Sequence, residues 1–261
     1  MPLDPSFSSS VPAKKLTTLN QNLAREINPA RGVRDEVSSS HLKRGWGPTV
    51  QLQNAPAVHR KPTSYIDLNQ ARNVLQALVH AEHIGVLPNR HITIDWEQGE
   101  VYDQVRATGC FLKLMKDCLR KRGLQTSHVW VRENGLILGQ HTHLLLHVPA
   151  QEVSWFNRSR RRWLKSTGLV LRKGVWKSCA IRGSSRRADQ SSSDLHRHNV
   201  RIVARYVLKH CSRKAARSLK LRTAGPCLTV GKRVSTSQNI GLASRRGCKR
   251  CSGSPGIKRC E

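Results

Sequence analysis

The chain has 261 residues and a formal net charge of +30, which is long enough for one domain with a hydrophobic core and additional tails. Most of the charge lies in residues 151–261, where 28 Lys and Arg stand against 4 Asp and Glu. A field of one sign attracts a polyanion and opposes self-association, so nucleic acid is the favoured partner and binding should depend strongly on salt. A basic surface kept only for solubility would not need its charge in one half of the chain.

Neither a membrane partner nor secretion is predicted. No apolar run approaches the roughly 18 residues of a membrane span, and the first residues lack the basic and apolar segments of a secretory signal. We therefore expect a cytoplasmic protein whose eight cysteines are thiols. Cys248, Cys251 and Cys260 could bind zinc, but one C-x-x-C pair without a second pair is a weak signal.

The first predicted elements follow a polar N-terminal segment. Residues 1–60 have no sustained apolar period, which predicts a mostly disordered tail. Asp67 is placed to cap a helix with apolar residues at helical spacing, and Gly85 is placed to end it. Alternation over residues 90–96 predicts a strand, and an apolar stripe over residues 100–122 predicts a second helix.

A β-hairpin is predicted next, from strands at 128–133 and 140–148 with a turn at 134–139. If the turn is centred near Ile137, Glu133 lies directly opposite His141, at the spacing of about 5 Å between cross-strand neighbours. His143 shares the face of His141, because side chains alternate along a strand. The residues between and after the histidines point the other way and supply the burial.

The rest of the chain predicts a basic helix at 152–165, one or two strands within 169–181 and a flexible loop at 183–193. Asp194 is placed to cap a helix that runs to about Cys211. From about residue 223 the sequence is irregular, and residues 226–261 predict a basic, flexible tail. The order β-α-β-β-α-β-loop-α indicates an α+β sheet domain rather than a doubly wound one.

The hairpin predicts a metal site made of Glu133, His141 and His143. Two imidazoles and one carboxylate bind a divalent ion while leaving positions open for phosphate oxygens and water. The mixed ligands fit Mn²⁺ or Mg²⁺, although imidazoles alone also accept Zn²⁺. The alternative is a half-buried strand whose polar face happens to carry histidines. His147 is either a substitute ligand or, as we favour, a structural hydrogen-bonding group. Three other histidines are expected at the surface: His128, His196 and His198.

Tyr206 and Lys209 are predicted to share a face of the last helix, since they are three residues apart. Tyr206 falls outside the apolar stripe of that helix, so a core role is disfavoured. An ordinary phenol is a poor nucleophile at neutral pH. A nearby Lys cation can favour the phenolate, neutralise phosphate charge or protonate a leaving group. The pair therefore predicts attack on a phosphate, with a covalent phosphotyrosine as the product.

In this order the pieces resemble the HUH endonucleases, and among them the rolling-circle replication initiators. The motifs that carry the resemblance are the apolar strand His91–Asp95, the metal pair His141-Thr-His143 with Glu133 eight positions before it, and Tyr206 to Lys209. The sequence departs from the family at Thr142, where a large apolar residue is usual. A single tyrosine after the metal pair also excludes the two-tyrosine mechanism of some members.

The resemblance implies an endonuclease domain over residues 61–225, with a central antiparallel sheet that carries the histidines and a tyrosine helix beside it. It implies metal-dependent nicking and rejoining of single-stranded or hairpin DNA at an origin, through a 5′-phosphotyrosine and a free 3′-OH. The sequence contains no G-x-x-x-x-G-K-[ST] phosphate loop. A host helicase and polymerase are therefore expected as partners, in the cytoplasm of a bacterium.

Basic segments are predicted to hold the DNA backbone. Trp155 and Trp163 lie near one of these segments and would either stack on bases or belong to the core. The expected DNA-binding residues are Arg160, Arg161, Arg162, Arg213, Lys214, Lys232 and Arg233.

Other functions remain open from the sequence. A single-tyrosine HUH transposase or a relaxase would keep the chemistry, but relaxases usually place the tyrosine before the histidines and transposases are usually more compact. A non-catalytic, basic nucleic-acid-binding protein would lack covalent attachment to DNA. A cupin-like metalloenzyme would need a further histidine and many more strands, and would leave the basic half unexplained.

Overall fold

A five-stranded antiparallel sheet organises the part of the chain that the computed structural model describes, residues 61–135, 139–184 and 193–246. In chain order the strands and helices are β1 (Pro62–Thr63), α1 (Leu68–His83), β2 (Arg90–Asp95), α2 (Gln104–Lys121), β3 (His128–Gly135), β4 (Gly139–Leu146), α3 (Val153–Lys165), β5 (Trp176–Ala180), α4 (Asp194–Val207), α5 (Arg213–Leu219), β6 (Thr229–Val230), β7 (Val234–Thr236) and α6 (Leu242–Arg246). The large sheet has the order β5-β2-β4-β3-β7, and β1 pairs with β6. The predicted α+β class is confirmed.

Local signals place the first elements as predicted. Asp67 caps α1 through a reciprocal pair of hydrogen bonds: Gln70 N donates to the Asp67 carboxylate over 2.8 Å, and Asp67 N donates to Gln70 Oε1 over 3.1 Å. Gly85 follows the helix with a φ of +74°, a left-handed conformation that glycine adopts without strain. The second helix is also confirmed, although it begins at Gln104 after a cap by Asp103.

The register of the β3–β4 hairpin decides which side chains meet. Glu133 pairs with His141 and Val131 pairs with His143, as expected for a turn centred near Ile137. Residues 136–138 of that turn lie outside the described residues. Strand β2 pairs with the other edge of β4 and places Thr93 opposite His143. The three strands therefore present Glu133, His141, His143 and Thr93 on one face.

Apolar layers cover both faces of the sheet. On the face of His143, Leu145 and Val131 pack with side chains of α1, α4 and α5, such as Val74 and Val207. On the other face, Ile92, Ile94, Leu144 and Leu146 pack with side chains of α2 and α3, including Phe111 and Trp163. None of the described helices is long and apolar enough to cross a membrane.

The segment after residue 225 differs from the prediction. Residues 226–246 were expected to be part of a flexible tail, but β7 pairs with β3 and Ile240 is fully buried in the core layer of α1. This segment is rich in Gly, Ser, Lys and Arg. Its few apolar residues nevertheless attach it to the domain, because they pack against residues that are distant in the chain. Residues 1–60, residues 185–192 of the predicted loop, and residues 247–261 with Cys248, Cys251 and Cys260 lie outside the described residues.

The last large helix also differs in detail. Ser193 rather than Asp194 is the cap, and its hydroxyl accepts a hydrogen bond from His196 N over 3.1 Å. The helix α4 ends at Val207, and a separate helix, α5, begins at Arg213. Tyr206 therefore lies in the last turn of α4, and Lys209 lies just beyond its end.

Candidate metal centre and tyrosine site

Glu133, His141 and His143 form a buried cluster on the sheet, as the hairpin register predicted. Glu133 Oε2 lies 3.2 Å from His141 Nε2 and 3.5 Å from His143 Nε2, and all three side chains are buried. One ligand atom from each residue lies within 4.8 Å of the others. Distances of this size allow one ion to contact the three atoms.

The hydrogen bonds of the cluster fit a cation. Gly139 O lies 2.9 Å from His141 Nδ1 and can only accept, so in the neutral imidazole Nδ1–H is the donor and Nε2 directs a lone pair at the Glu133 carboxylate. Two facing lone pairs repel each other, and either a proton on Nε2 or a cation between the two atoms removes this repulsion. Glu133 Oε1 and His143 Nε2 are also buried and have no hydrogen-bond partner among the described residues.

The electrostatics of the cluster agree with metal binding. Burial alone would raise the pKa of Glu133, but the adjacent rings of His141 and His143, followed by the charge of Lys209, hold it well below its usual range. Burial lowers the pKa of His143, which favours the neutral imidazole that a metal ligand requires. Lys209 Nζ lies 2.5 Å from Glu133 Oε2 and already provides one positive charge beside the carboxylate.

Side chains that the sequence analysis did not assign support the ligands from β2. Thr93 Oγ1 and His91 Nε2 lie 3.1 and 3.2 Å from His143 Nδ1, the ring atom that points away from Glu133. Burial, followed by the proximity of His143, lowers the pKa of His91 to about 4. The alternation of residues 90–96 places His91 and Thr93 on one face of a strand, but nothing in the sequence says that this strand lies beside β4.

His210 was also missed. Its Nε2 lies 3.7 Å from Glu133 Oε2, and its Nδ1 lies 3.0 Å from Gly225 O. The carbonyl fixes Nδ1–H as the donor, so Nε2 faces the carboxylate in the neutral ring. The position of His210 directly after Lys209 was the available signal.

Hydrogen bonds from neighbouring elements fix the hairpin where it carries Glu133 and His141. Gln104 Nε2, from α2, donates to His141 O over 2.6 Å and to Glu133 O over 3.3 Å. Thr142, the residue between the two histidines, accepts from Trp96 Nε1 over 2.8 Å and lies 3.1 Å from the Thr108 hydroxyl. A threonine at this position is accommodated because its hydroxyl is fully partnered on the buried side.

The ring of Tyr206 lies at the edge of the cluster and is accessible to solvent. Its ring centroid lies 5.4 Å from that of His143 and 5.9 Å from that of His91, and 49% of its surface is exposed. Lys209 Nζ lies 4.4 Å from the centre of the same ring. The fold therefore brings a phenol, an ammonium group and the carboxylate–imidazole cluster together at one place that solvent can reach.

The remaining histidines divide between confirmed and wrong expectations. His147 Nδ1 lies 3.0 Å from Leu87 O, which agrees with the favoured structural role. His128 and His196 are buried, so their expected surface positions are wrong, while His198 is exposed. The Nε2 atom of His196 lies 3.0 Å from Pro88 O. Both buried rings lie at element ends that tertiary contacts cover, which no local periodicity indicates.

The expected DNA-binding cations lie in separate parts of the fold. Arg160, Arg161 and Arg162 are on α3, on the face of the sheet opposite the histidines, whereas Arg213 and Lys214 are exposed at the start of α5. Lys232 is exposed, but Arg233 is buried and donates hydrogen bonds to Thr63 O and Thr229 Oγ1. Arg233 is therefore a structural residue, because its guanidinium cannot reach a ligand at the surface.

The two tryptophans near the α3 cations differ in their burial. Trp163 is buried among Phe111 and Phe156. Trp155 is partly buried, with the Arg122 guanidinium 4.5 Å from its ring centre. Of the two alternatives left open by the sequence, core packing describes Trp163.

Comparison with known proteins identifies no family for this chain. No protein-family model matches the sequence, and no curated protein matches it significantly. One solved structure, the N-terminal nuclease domain of non-structural protein 1 from minute virus of mice, is similar with a TM-score of 0.34 and 12% identity, over 63% of this chain and 90% of that chain. A similarity this low does not establish a shared function. The functional interpretation therefore depends on the geometry of the site.

Proposed function

We propose that this protein is a rolling-circle replication initiator of the HUH type, which nicks and rejoins single-stranded DNA at an origin through Tyr206. The observation that carries the proposal is the position of Tyr206, half exposed and stacked edge-on beside His143 of a buried carboxylate–imidazole cluster. Phosphodiester cleavage needs a nucleophile beside positive charge, and Tyr206, with Lys209 and an ion held by the cluster, would provide both at one place. The net charge of +30 suits a DNA substrate.

The residues take distinct roles in this reaction. A divalent ion held by Glu133, His141 and His143, such as Mn²⁺ or Mg²⁺, would polarise the scissile phosphate. Tyr206 Oη forms a bond to phosphorus and gives up its proton to solvent, while the bond from phosphorus to the 3′ oxygen breaks. That oxygen takes up a proton and leaves as a free 3′-OH. Lys209 stabilises the phenolate and the phosphate charge.

The biological setting is part of the proposal. The endonuclease domain extends from residue 61 and includes residues 226–246, which pair with and pack on the sheet. Strand separation and synthesis would use a host helicase and polymerase in a bacterial cytoplasm. A single-tyrosine transposase would use the same site, and its substrate would be a transposon end rather than an origin.

A denaturing gel with labelled hairpin DNAs and Mn²⁺ tests the chemistry directly. The wild type should form a covalent protein–DNA band that disappears with EDTA and with Tyr206→Phe, because the variant keeps the ring but lacks the nucleophilic oxygen. Tyr102→Phe is the matched control, since Tyr102 is 92% exposed and lies in another segment.

Two results would contradict the proposal. A band that persists with Tyr206→Phe would mean that another group is the nucleophile. Absence of any band across a broad set of DNAs, despite tight and salt-sensitive binding, would favour a non-catalytic nucleic-acid-binding protein.

A further inference from the structure

A basic groove lies apart from the tyrosine site, between α3 and the segment that leads into β5. It has a volume of about 1350 Å³. The described residues that line it include seven Lys and Arg side chains and no carboxylate. Arg158, Arg161, Arg162 and Lys165 come from α3 at spacings of three and four residues, so they form one exposed stripe along the helix.

The helix that carries this stripe is packed firmly on the sheet. Phe156, Trp163 and Leu164 are buried under α3 and fix the helix to the sheet. Arg172 closes the other wall of the groove and pairs with Glu100. A row of like charges on an ordered helix carries a repulsion that an anionic ligand relieves.

The groove and the tyrosine site are on opposite faces of the sheet. Trp176, which lines the groove, pairs with Ile94, and both belong to the apolar layer behind the histidines. The next residue, Lys177, pairs with Thr93 and therefore points to the tyrosine face. In the described part of the chain β5 is an edge strand of the sheet, so a ligand in the groove can reach the tyrosine face around this strand.

The chemistry of the groove fits phosphates rather than unstacked bases. Single-stranded nucleic acids are usually held by exposed aromatic rings on which bases stack. The aromatic residue lining this groove is Trp176, which is partly buried and has the Arg160 guanidinium 5.0 Å from its ring centre. The accessible groups are long cationic side chains, which contact a backbone without reading its sequence.

We propose that this groove binds the phosphodiester backbone of a DNA duplex, a stem that adjoins the single strand presented to Tyr206. The identity of the ligand as DNA rests on the proposed function, and the groove adds a second contact region behind the sheet. The stem stays on the α3 face, and the single strand crosses β5 to the tyrosine.

Equilibrium binding with Arg161→Ala/Arg162→Ala tests this proposal. The probes are a DNA hairpin with a single-stranded tail and the tail alone, both measured in EDTA so that no cleavage occurs. On the hairpin, the slope of log Kd against log salt should become shallower by about 2, since each lost phosphate contact removes about 0.9. Binding of the tail alone should remain within about twofold of wild type.

Lys113→Ala/Lys121→Ala is the matched control, because it removes two exposed cations from α2 that do not line the groove. Wild-type binding of the hairpin by Arg161→Ala/Arg162→Ala would overturn the proposal, as would equal losses in the control. Equal weakening on the tail alone would mean that the groove holds the single strand. Failure of covalent attachment would leave these binding results intact, so the two proposals fail separately.

Discussion

The two faces of β4 carry buried side chains of very different polarity. His141 and His143 point to a polar cluster in which Glu133 is surrounded by imidazoles and Lys209. Leu144 and Leu146 point to an apolar layer with Phe111 and Trp163. Alternation along a strand makes this possible without any change of backbone.

The difference separates the sources of stability and function. Burial of each leucine contributes about 1.5–3 kcal/mol through removal of apolar surface from water. Burial of Glu133 is unfavourable unless its charge is compensated, so the polar face depends on its partners and on a cation. Substitutions on one face should therefore change metal binding, and those on the other should change the free energy of unfolding.

The largest difference between the two faces is expected for substitutions of the neighbouring residues His143 and Leu144. His143→Ala should weaken Mn²⁺ binding by more than about 100-fold, because loss of a group that only supports a ligand already costs about 10–100-fold. Leu144→Ala should lower the free energy of unfolding by about 2–5 kcal/mol and leave the Mn²⁺ affinity of the folded protein unchanged. Calorimetric titration and urea unfolding measure the two quantities. Unchanged Mn²⁺ affinity in His143→Ala would exclude this cluster as the metal site.

One pH effect is expected from His128, which lies on the same face of the sheet as Leu144 and Leu146. His128 pairs with Leu146, and burial, followed by the charge of Lys116, lowers the pKa of His128 from 6.5 to about 4. Between these values the unfolded chain binds a proton that the folded chain does not, so stability falls as the pH drops from about 6.5 to about 4. The titration of His128 should lower the free energy of unfolding across this interval by at most on the order of 3 kcal/mol.

Urea unfolding across this interval checks the effect with His128→Leu, which cannot titrate. Its loss of stability on acidification should be smaller than that of the wild type, in EDTA as well as in Mn²⁺. Identical pH profiles for the two proteins would show that His128 titrates normally.

The smallest difference between the two faces is expected for a threonine-to-valine substitution made once on each face. Thr93→Val removes the hydroxyl beside His143 Nδ1 and should weaken Mn²⁺ binding by about tenfold, since His91 still contacts that atom. Thr142→Val leaves Trp96 Nε1 without its buried acceptor and should cost about 1–3 kcal/mol of stability. The two quantities are measured by the same titration and unfolding experiments. If Thr142→Val weakened Mn²⁺ binding more than Thr93→Val did, the separation between the faces would not hold.

Local patterns in the sequence were sufficient for the helix cap at Asp67 and for the hairpin that places Glu133 opposite His141. Both depend on residues close together in the chain, where spacing alone fixes which groups meet. The position of Tyr206 outside its apolar stripe also followed from helical spacing, and the side chain is half exposed.

Other features needed the tertiary structure because they join segments that are far apart. The pairing of β2 with β4 brings His91 and Thr93 to His143, and the pairing of β7 with β3 makes residues 226–246 part of the core domain. The turn after α4 carries His210 to Glu133, and the same fold buries Arg233. No local period encodes such contacts, since each depends on which apolar surfaces pack together across the whole domain.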